Sequence, residues 1–226
     1  HDFQKRQIME NQYSEIKFEV EEFLTKFEND EKQNDVYKKY FRGIQILFTP
    51  LVYKPKFMFI GINPGAGYFN YEGNSTKYVK RFSPMQNTEY IGQQYRLAKE
   101  TRKLFKLANI SQADLKNSVK SNYYFLATKN TNDLSKLLLS LKEYNIEKKS
   151  ENWIKKLTEI VEPEIIICEG KSIFEKFAKT KVSENDDVYY AEIGKLKVIG
   201  YKRKFSNIVN KEKVAKLLKE KLSEKL

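Results

Sequence analysis

The chain has 226 residues, 40% hydrophobic and 14% aromatic, which at this length is enough apolar material for a real core despite 32% charged residues and a mean hydropathy of −0.67. Disorder is thereby excluded for most of the chain, and no run approaches the roughly 18 apolar residues needed to cross a bilayer. A single cysteine, Cys168, excludes an internal disulfide framework, and one cysteine plus one histidine are too few for a zinc or iron–sulfur centre, so no metal is expected.

The one histidine is His1, at the end of the chain, which closes every mechanism built on an internal histidine: Ser-His-Asp and Cys-His hydrolysis, and HExxH zinc hydrolysis. Chemistry must come from carboxylates, amides, hydroxyls, lysines or arginines. The first residues (HDFQKRQIME) carry no apolar signal-peptide core, and a cytoplasmic protein is expected. The net charge is +12, and +8 of it lies between Lys195 and Leu226, where 11 basic residues face 3 acidic ones. Lysine is abundant throughout, which a compositional bias also produces. A charge this concentrated nevertheless predicts a basic face and a polyanionic partner.

Met9, Tyr13, Ile16, Val20, Phe23 and Phe27 recur in steps of three and four, predicting an amphipathic helix of about five turns. Residues 1–45 are therefore expected to form an N-terminal helical extension packed on a main domain of residues 46–226. The apolar run from Lys56 to Ile62 reads as a strand buried on both faces and ends in Asn63-Pro64-Gly65. A long loop from about Ala66 to Gly92 follows, and loops of that length inside a domain are usually functional. A helix is expected over Leu97–Ala108 and a strand over Val119–Ala127, with Asn122 inside it. Helices follow over Leu134–Leu141 and around Trp153–Ile160. Glu164–Cys168 is a third buried strand, ended by Glu169-Gly170. A helix around Phe174, a short strand near Val188–Ala191, a last strand over Leu196–Gly200 and a closing helix around Val214–Leu222 complete the chain. Strands alternating with helices predict an α/β fold with a mainly parallel sheet.

In such sheets ligands bind beyond the carboxyl ends of the strands. Three segments occupy such ends: Gly61–Gly65, the surroundings of Asn122, and Gly200–Asn207. The first has the wrong glycine spacing for a dinucleotide fingerprint and lacks the Gly-Lys-Ser/Thr of a P-loop. Pro64 fixes one backbone angle, Gly65 permits close approach of a ligand, and Asn63 presents an amide at the sheet edge. The same residues also make an ordinary strand-to-loop turn.

A buried strand ending in Gly61-Ile62-Asn63-Pro64-Gly65 resembles the first motif of the uracil-DNA glycosylase superfamily, its mismatch-specific and single-strand-selective branches above all. Ser121-Asn122-Tyr123 at a second strand end is similar to a later superfamily element, as is the Pro163–Gly170 strand. The ordered segments cover Phe57 to Asn210. The resemblance implies a three-layer αβα sandwich around a central, mainly parallel four-stranded sheet, with the N-terminal helical extension added. It implies an enzyme, a monomeric and monofunctional DNA glycosylase acting without cofactor on DNA, single strands included, and not on membranes. Uracil or a related damaged base would be flipped out and its N-glycosidic bond hydrolysed.

Residue by residue, the resemblance gives Asn63 the orientation of a water toward C1′, and Arg203 the charge on the departing base. Gly61, Ile62, Pro64, Gly65 and Asn122 would line the base pocket. Tyr68 or Phe69 would stack on the base, and Lys202, Lys204, Ser206 and Asn207 would hold the backbone. Each has a plainer role open to it: Asn122 can bond backbone at a strand end, and the aromatic residues can pack beneath the loop. Cys168 reads as inert packing and Glu169 as one half of a structural ion pair. The chain departs from the superfamily in its last motif, Gly200-Tyr201-Lys202-Arg203-Lys204-Phe205-Ser206-Asn207, which has neither the histidine nor the proline found there. It also has Asn63 where the fastest branch carries an activating aspartate. Both departures predict slow or narrow chemistry. They leave open a relative that binds nucleic acid without cleaving it, and a small-molecule or nucleotide-binding α/β protein.

Overall fold

A computed structural model describes residues 2–30, 34–65, 79–88 and 90–224. In chain order the elements are α1 (Asp2–Asn29), α2 (Asn34–Tyr40), β1 (Gly43–Gln45), β2 (Phe57–Gly61), β3 (Val79–Arg81), α3 (Arg96–Leu107), α4 (Gln112–Lys116), β4 (Val119–Asn122), β5 (Leu126–Ala127) and α5 (Thr131–Ser140). A 3₁₀ turn (Lys142–Tyr144) leads to α6 (Ile146–Val161), β6 (Ile165–Cys168), α7 (Lys171–Ala178), β7 (Val188–Ile193), β8 (Leu196–Tyr201), β9 (Arg203–Lys204), β10 (Asn207–Ile208) and α8 (Lys211–Ser223). The fold is α/β. Among the described residues no helix is long and apolar enough to cross a membrane.

The chain divides into two units of alternating segments: residues up to 47, 63–84 and 122–161 form one, and 48–62, 85–121 and 162–226 the other. The first gathers α1, α5 and α6 with the three-stranded sheet β3-β1-β5, in which β1 runs parallel to β3 and antiparallel to β5. All six residues of the α1 stripe are buried, and the helix is longer than the stripe required. It lies on α6, where Phe23 meets Trp153 edge-on at 5.6 Å and the Trp153 indole donates to Glu19. Asn130 caps α5, its side chain accepting from the Asp133 amide at 2.9 Å.

The second unit holds a five-stranded sheet in the order β4-β2-β6-β8-β7. Strands β2, β6 and β8 are parallel, with Phe57 opposite Ile165 and Ile165 opposite Lys197. Both β2 and β6 are buried throughout, as their unbroken apolar runs require. The short strand expected near Val188–Ala191 is a fifth, antiparallel edge strand, joined to β8 by a tight turn at Gly194, whose φ of +61° suits glycine. The expected single strand over Val119–Ala127 is two pieces in different sheets, β4 ending at Asn122 and β5 starting at Leu126. Every residue from Ser118 to Thr128 is buried, so hydrophobicity carries no mark of the break.

One face of this sheet packs Phe57, Phe59, Ile199 and Tyr201 against α3 and α8. Strand residues alternate between faces, so Gly200 looks the other way, onto Phe174 of α7. A Cβ added at Gly200 would stand 2.7 Å from the Phe174 Cβ, an atom fixed to the α7 backbone. Gly200→Ala is therefore expected to cost about 1–3 kcal/mol through overpacking. Urea denaturation of the two proteins measures it.

Candidate functional site

Strand β2 delivers the chain to its carboxyl end at Gly61, after which Ile62 and Asn63 are half-buried, Pro64 is buried and Gly65 is exposed. Gly65 pairs with Thr128 in a parallel bridge, and the Thr128 amide donates to the Pro64 carbonyl at 3.3 Å. The Asn63 Nδ2 group donates to three oxygens of the first unit: Thr128 Oγ1 at 3.0 Å, the Pro64 carbonyl at 3.1 Å and the Leu126 carbonyl at 3.2 Å. Carbonyls only accept. The Thr128 hydroxyl spends its one proton on the Asn130 carbonyl at 2.9 Å, so toward Asn63 it too only accepts. The amide therefore has one admissible orientation, with Nδ2 inward, and Oδ1 has no hydrogen-bond donor among the described residues. Asn63 presents a fixed acceptor, held by a relay through Thr128 to the residue that caps α5. Sequence reading singled out Asn63 and missed Thr128, whose partner lies 65 residues away.

Asn122 closes β4 and is 3% exposed. Tyr68 and Phe69 lie outside the described residues.

A buried polar cluster sits at the strand ends of the second unit. Glu169, directly after β6, accepts from the Tyr90 hydroxyl on one carboxylate oxygen and from the Lys120 ammonium on the other. Lys120 also donates to the Tyr90 oxygen at 2.8 Å. Lys120 is 6% exposed, Glu169 4% and Tyr90 0%, so this is an ion pair removed from water and closed by a third group. Because β2 lies between β4 and β6, the pair reaches across β2, bridging two strand spacings, about 10 Å. The Glu169 amide meanwhile donates to the Ile60 carbonyl at 2.9 Å. The carboxyl end of β2, where Gly61 and Ile62 stand, is clasped from both sides. The expected pairing of Glu169 is present, and its partner is Lys120. Burial, and then the neighbouring Glu169 charge, push the Tyr201 hydroxyl well above the ordinary tyrosine range, and burial does the same to the Cys168 thiol.

The last motif forms a β9–β10 hairpin, not the expected loop, with Arg203 opposite Ile208 and Lys204 opposite Asn207. Its tip is Phe205, 90% exposed and in the left-handed region at φ +57°. A bulky residue at positive φ is uncommon, and an aromatic ring in open solvent forfeits the burial that usually holds it. Lys202 is turned back, donating to the Glu184 carbonyl at 3.0 Å, and Asn207 Oδ1 accepts from Arg96 Nε of α3 at 2.9 Å. Arg203 is half-buried and Lys204 exposed, and Ser206 is half-buried beside the tip. The hairpin was legible only as a basic tract. Its ladder has two pairs, too short for alternation to show.

Asn63, Pro64, Gly65 and Asn122 thus belong to the first unit, and Gly61, Ile62 and the hairpin residues 202–207 to the second. Among the described residues no group of three or more His, Cys, Asp or Glu side chains is arranged to hold a metal ion. Neither a protein-family model nor a curated protein sequence matches the chain.

Proposed function

We propose that the protein is a DNA glycosylase-like hydrolase that excises uracil or a related damaged base, with Asn63 positioning the attacking water. The reading is supported above all by the pinned Asn63 amide, whose outward Oδ1 accepts a hydrogen bond from a water. The water oxygen then bonds to C1′ as the C1′–N bond breaks. The base leaves with the electron pair, and the water's proton passes through solvent to the base. An amide does not deprotonate water at neutral pH, so the rate comes from placement and from electrostatics around the departing base. This agrees with slow chemistry. The hairpin supports nucleic-acid contact: the exposed Lys204 serves a phosphate, and Phe205 offers a ring to an unpaired base, where stacking contributes about 1–3 kcal/mol. Helices on both faces of the five-stranded sheet support a three-layer αβα arrangement for this part of the fold. A cytoplasmic monomer goes with the same reading.

One observation favours a second reading, a relative that binds nucleic acid without cleaving it. The hydrogen-bond partners of the Asn63 side chain are two carbonyls and a hydroxyl, with no titratable group among them. Release of free base from a DNA strand carrying one uracil distinguishes the two.

A further inference from the structure

The positive charge is gathered more tightly than the sequence shows. Helix α3 has five basic residues and one glutamate, net +4. Residues 202–207 of the hairpin are net +3. Helix α8 has five lysines and two glutamates, also net +3, so these three elements carry +10 of the chain's +12. All three belong to the second unit, and they touch. Arg96 donates to Asn207 of the hairpin at 2.9 Å, and Lys211 at the start of α8 pairs with Glu100 near the start of α3 at 2.5 Å. At their other ends Ala108 and Asn109 share a shallow cavity with Lys219 and Leu222. The two helices therefore lie side by side in the same direction, with the hairpin at their amino ends.

The acidic residue between them is already used. Glu100 is 6% exposed and neutralised by Lys211 and Lys103. On the outer side of α3, Arg96, Lys99, Lys103 and Lys106 are all exposed. They fall at i, i+3, i+7 and i+10, one helical stripe about 15 Å long. Lys99 and Lys106 have no carboxylate partner among the described residues. Internal pairing accounts for Arg96 and Lys103 and leaves Lys99 and Lys106 unexplained, and a row of like charges repels itself.

We propose that the outer face of α3, continuous with the hairpin and α8, is a phosphate-binding track for the DNA backbone. At about 3.4 Å per nucleotide step in a duplex, the stripe spans about four steps. This rests on the nucleic-acid part of the reading above, and adds contacts no motif indicated.

The test is binding of a 20-nucleotide DNA, single-stranded and then duplex, titrated against salt. The variant is Lys99→Gln/Lys103→Gln/Lys106→Gln, and the charge-matched control carries Lys142→Gln/Lys148→Gln/Lys149→Gln around α6 of the first unit. All six positions are exposed, and thermal melts confirm that both variants fold. The wild type is expected to bind. The α3 variant is expected to lose about 2 from the log–log salt slope on single strands and nearly 3 on duplex, with the control unchanged. An unchanged α3 slope, an equal loss in the control, or no binding by the wild type overturns the track. Base release is read separately. Release with an unchanged slope overturns the track and keeps the glycosylase reading, whereas a lowered slope without release keeps the track and overturns that reading.

Discussion

Lys120→Met is expected to destabilise the protein by about 3–5 kcal/mol, because it takes the ammonium from a carboxylate that stays buried. Neither ion has enough contact with water to recover its hydration: the Lys120 side chain is 7% exposed and that of Glu169 2%. Glu169→Leu alone takes the carboxylate from the buried ammonium and is expected to cost on the same scale. The double change Lys120→Met/Glu169→Leu removes both charges, and is expected to cost far less than the sum of the singles, since apolar replacements of a buried pair are often neutral. Tyr90 then keeps a hydroxyl without its charged partners, at about 1–3 kcal/mol. Urea unfolding of the four proteins closes the cycle. Additive losses would show that the two charges do not act as a pair. The clasp spans β2, so the singles should also loosen the strand end from which Gly61 and Ile62 emerge.

The second large effect concerns Asn63. Asn63→Ala removes the outward acceptor and is expected to slow base release about a hundredfold or more, the scale on which misplacing a reacting group acts. It also deletes the hydrogen bonds to three buried partners, so a stability loss of about 1–3 kcal/mol accompanies it. Thr128→Val separates the two effects. Asn63 stays, but loses the hydroxyl that accepts from Nδ2, and its amide gains freedom to turn. Release is expected to fall about tenfold, with DNA affinity and its salt dependence unchanged, the mark of lost positioning and not lost binding. Equal release by Thr128→Val and the wild type would show that the relay does not orient the amide.

The reach of the sequence follows from the range of the interactions that shape each part. The α1 stripe, the runs of β2 and β6 and the helix around Val214 were legible because burial leaves a stripe or an unbroken apolar run within one element. The break between β4 and β5 was not, because one buried strand replaces another without any polar residue turned to water. The role of Lys120 is hidden for a related reason: between Val119 and Ser121 a lysine looks like the wet side of a strand. Its burial depends on Glu169, 49 residues on and across an intervening strand. Asn63 stood out through the turn chemistry of its neighbours, whereas the hydroxyl and carbonyls that fix it are set by tertiary packing. The concentration of charge toward the C-terminus was visible, but α3 adds a net +4 to the net +3 of α8, and only the packing of the two helices brings these charges together.

The proposed chemistry turns on whether Asn63 places a water for glycosidic cleavage. The direct measurement is single-turnover release of base from a labelled oligonucleotide with one uracil, as a single strand and then opposite guanine, with enzyme in large excess and Asn63→Ala alongside. Slow release by the wild type on at least one substrate is expected, reduced about a hundredfold or more in the variant. No release from uracil or from other deaminated bases, or equal release by the two proteins, would contradict it.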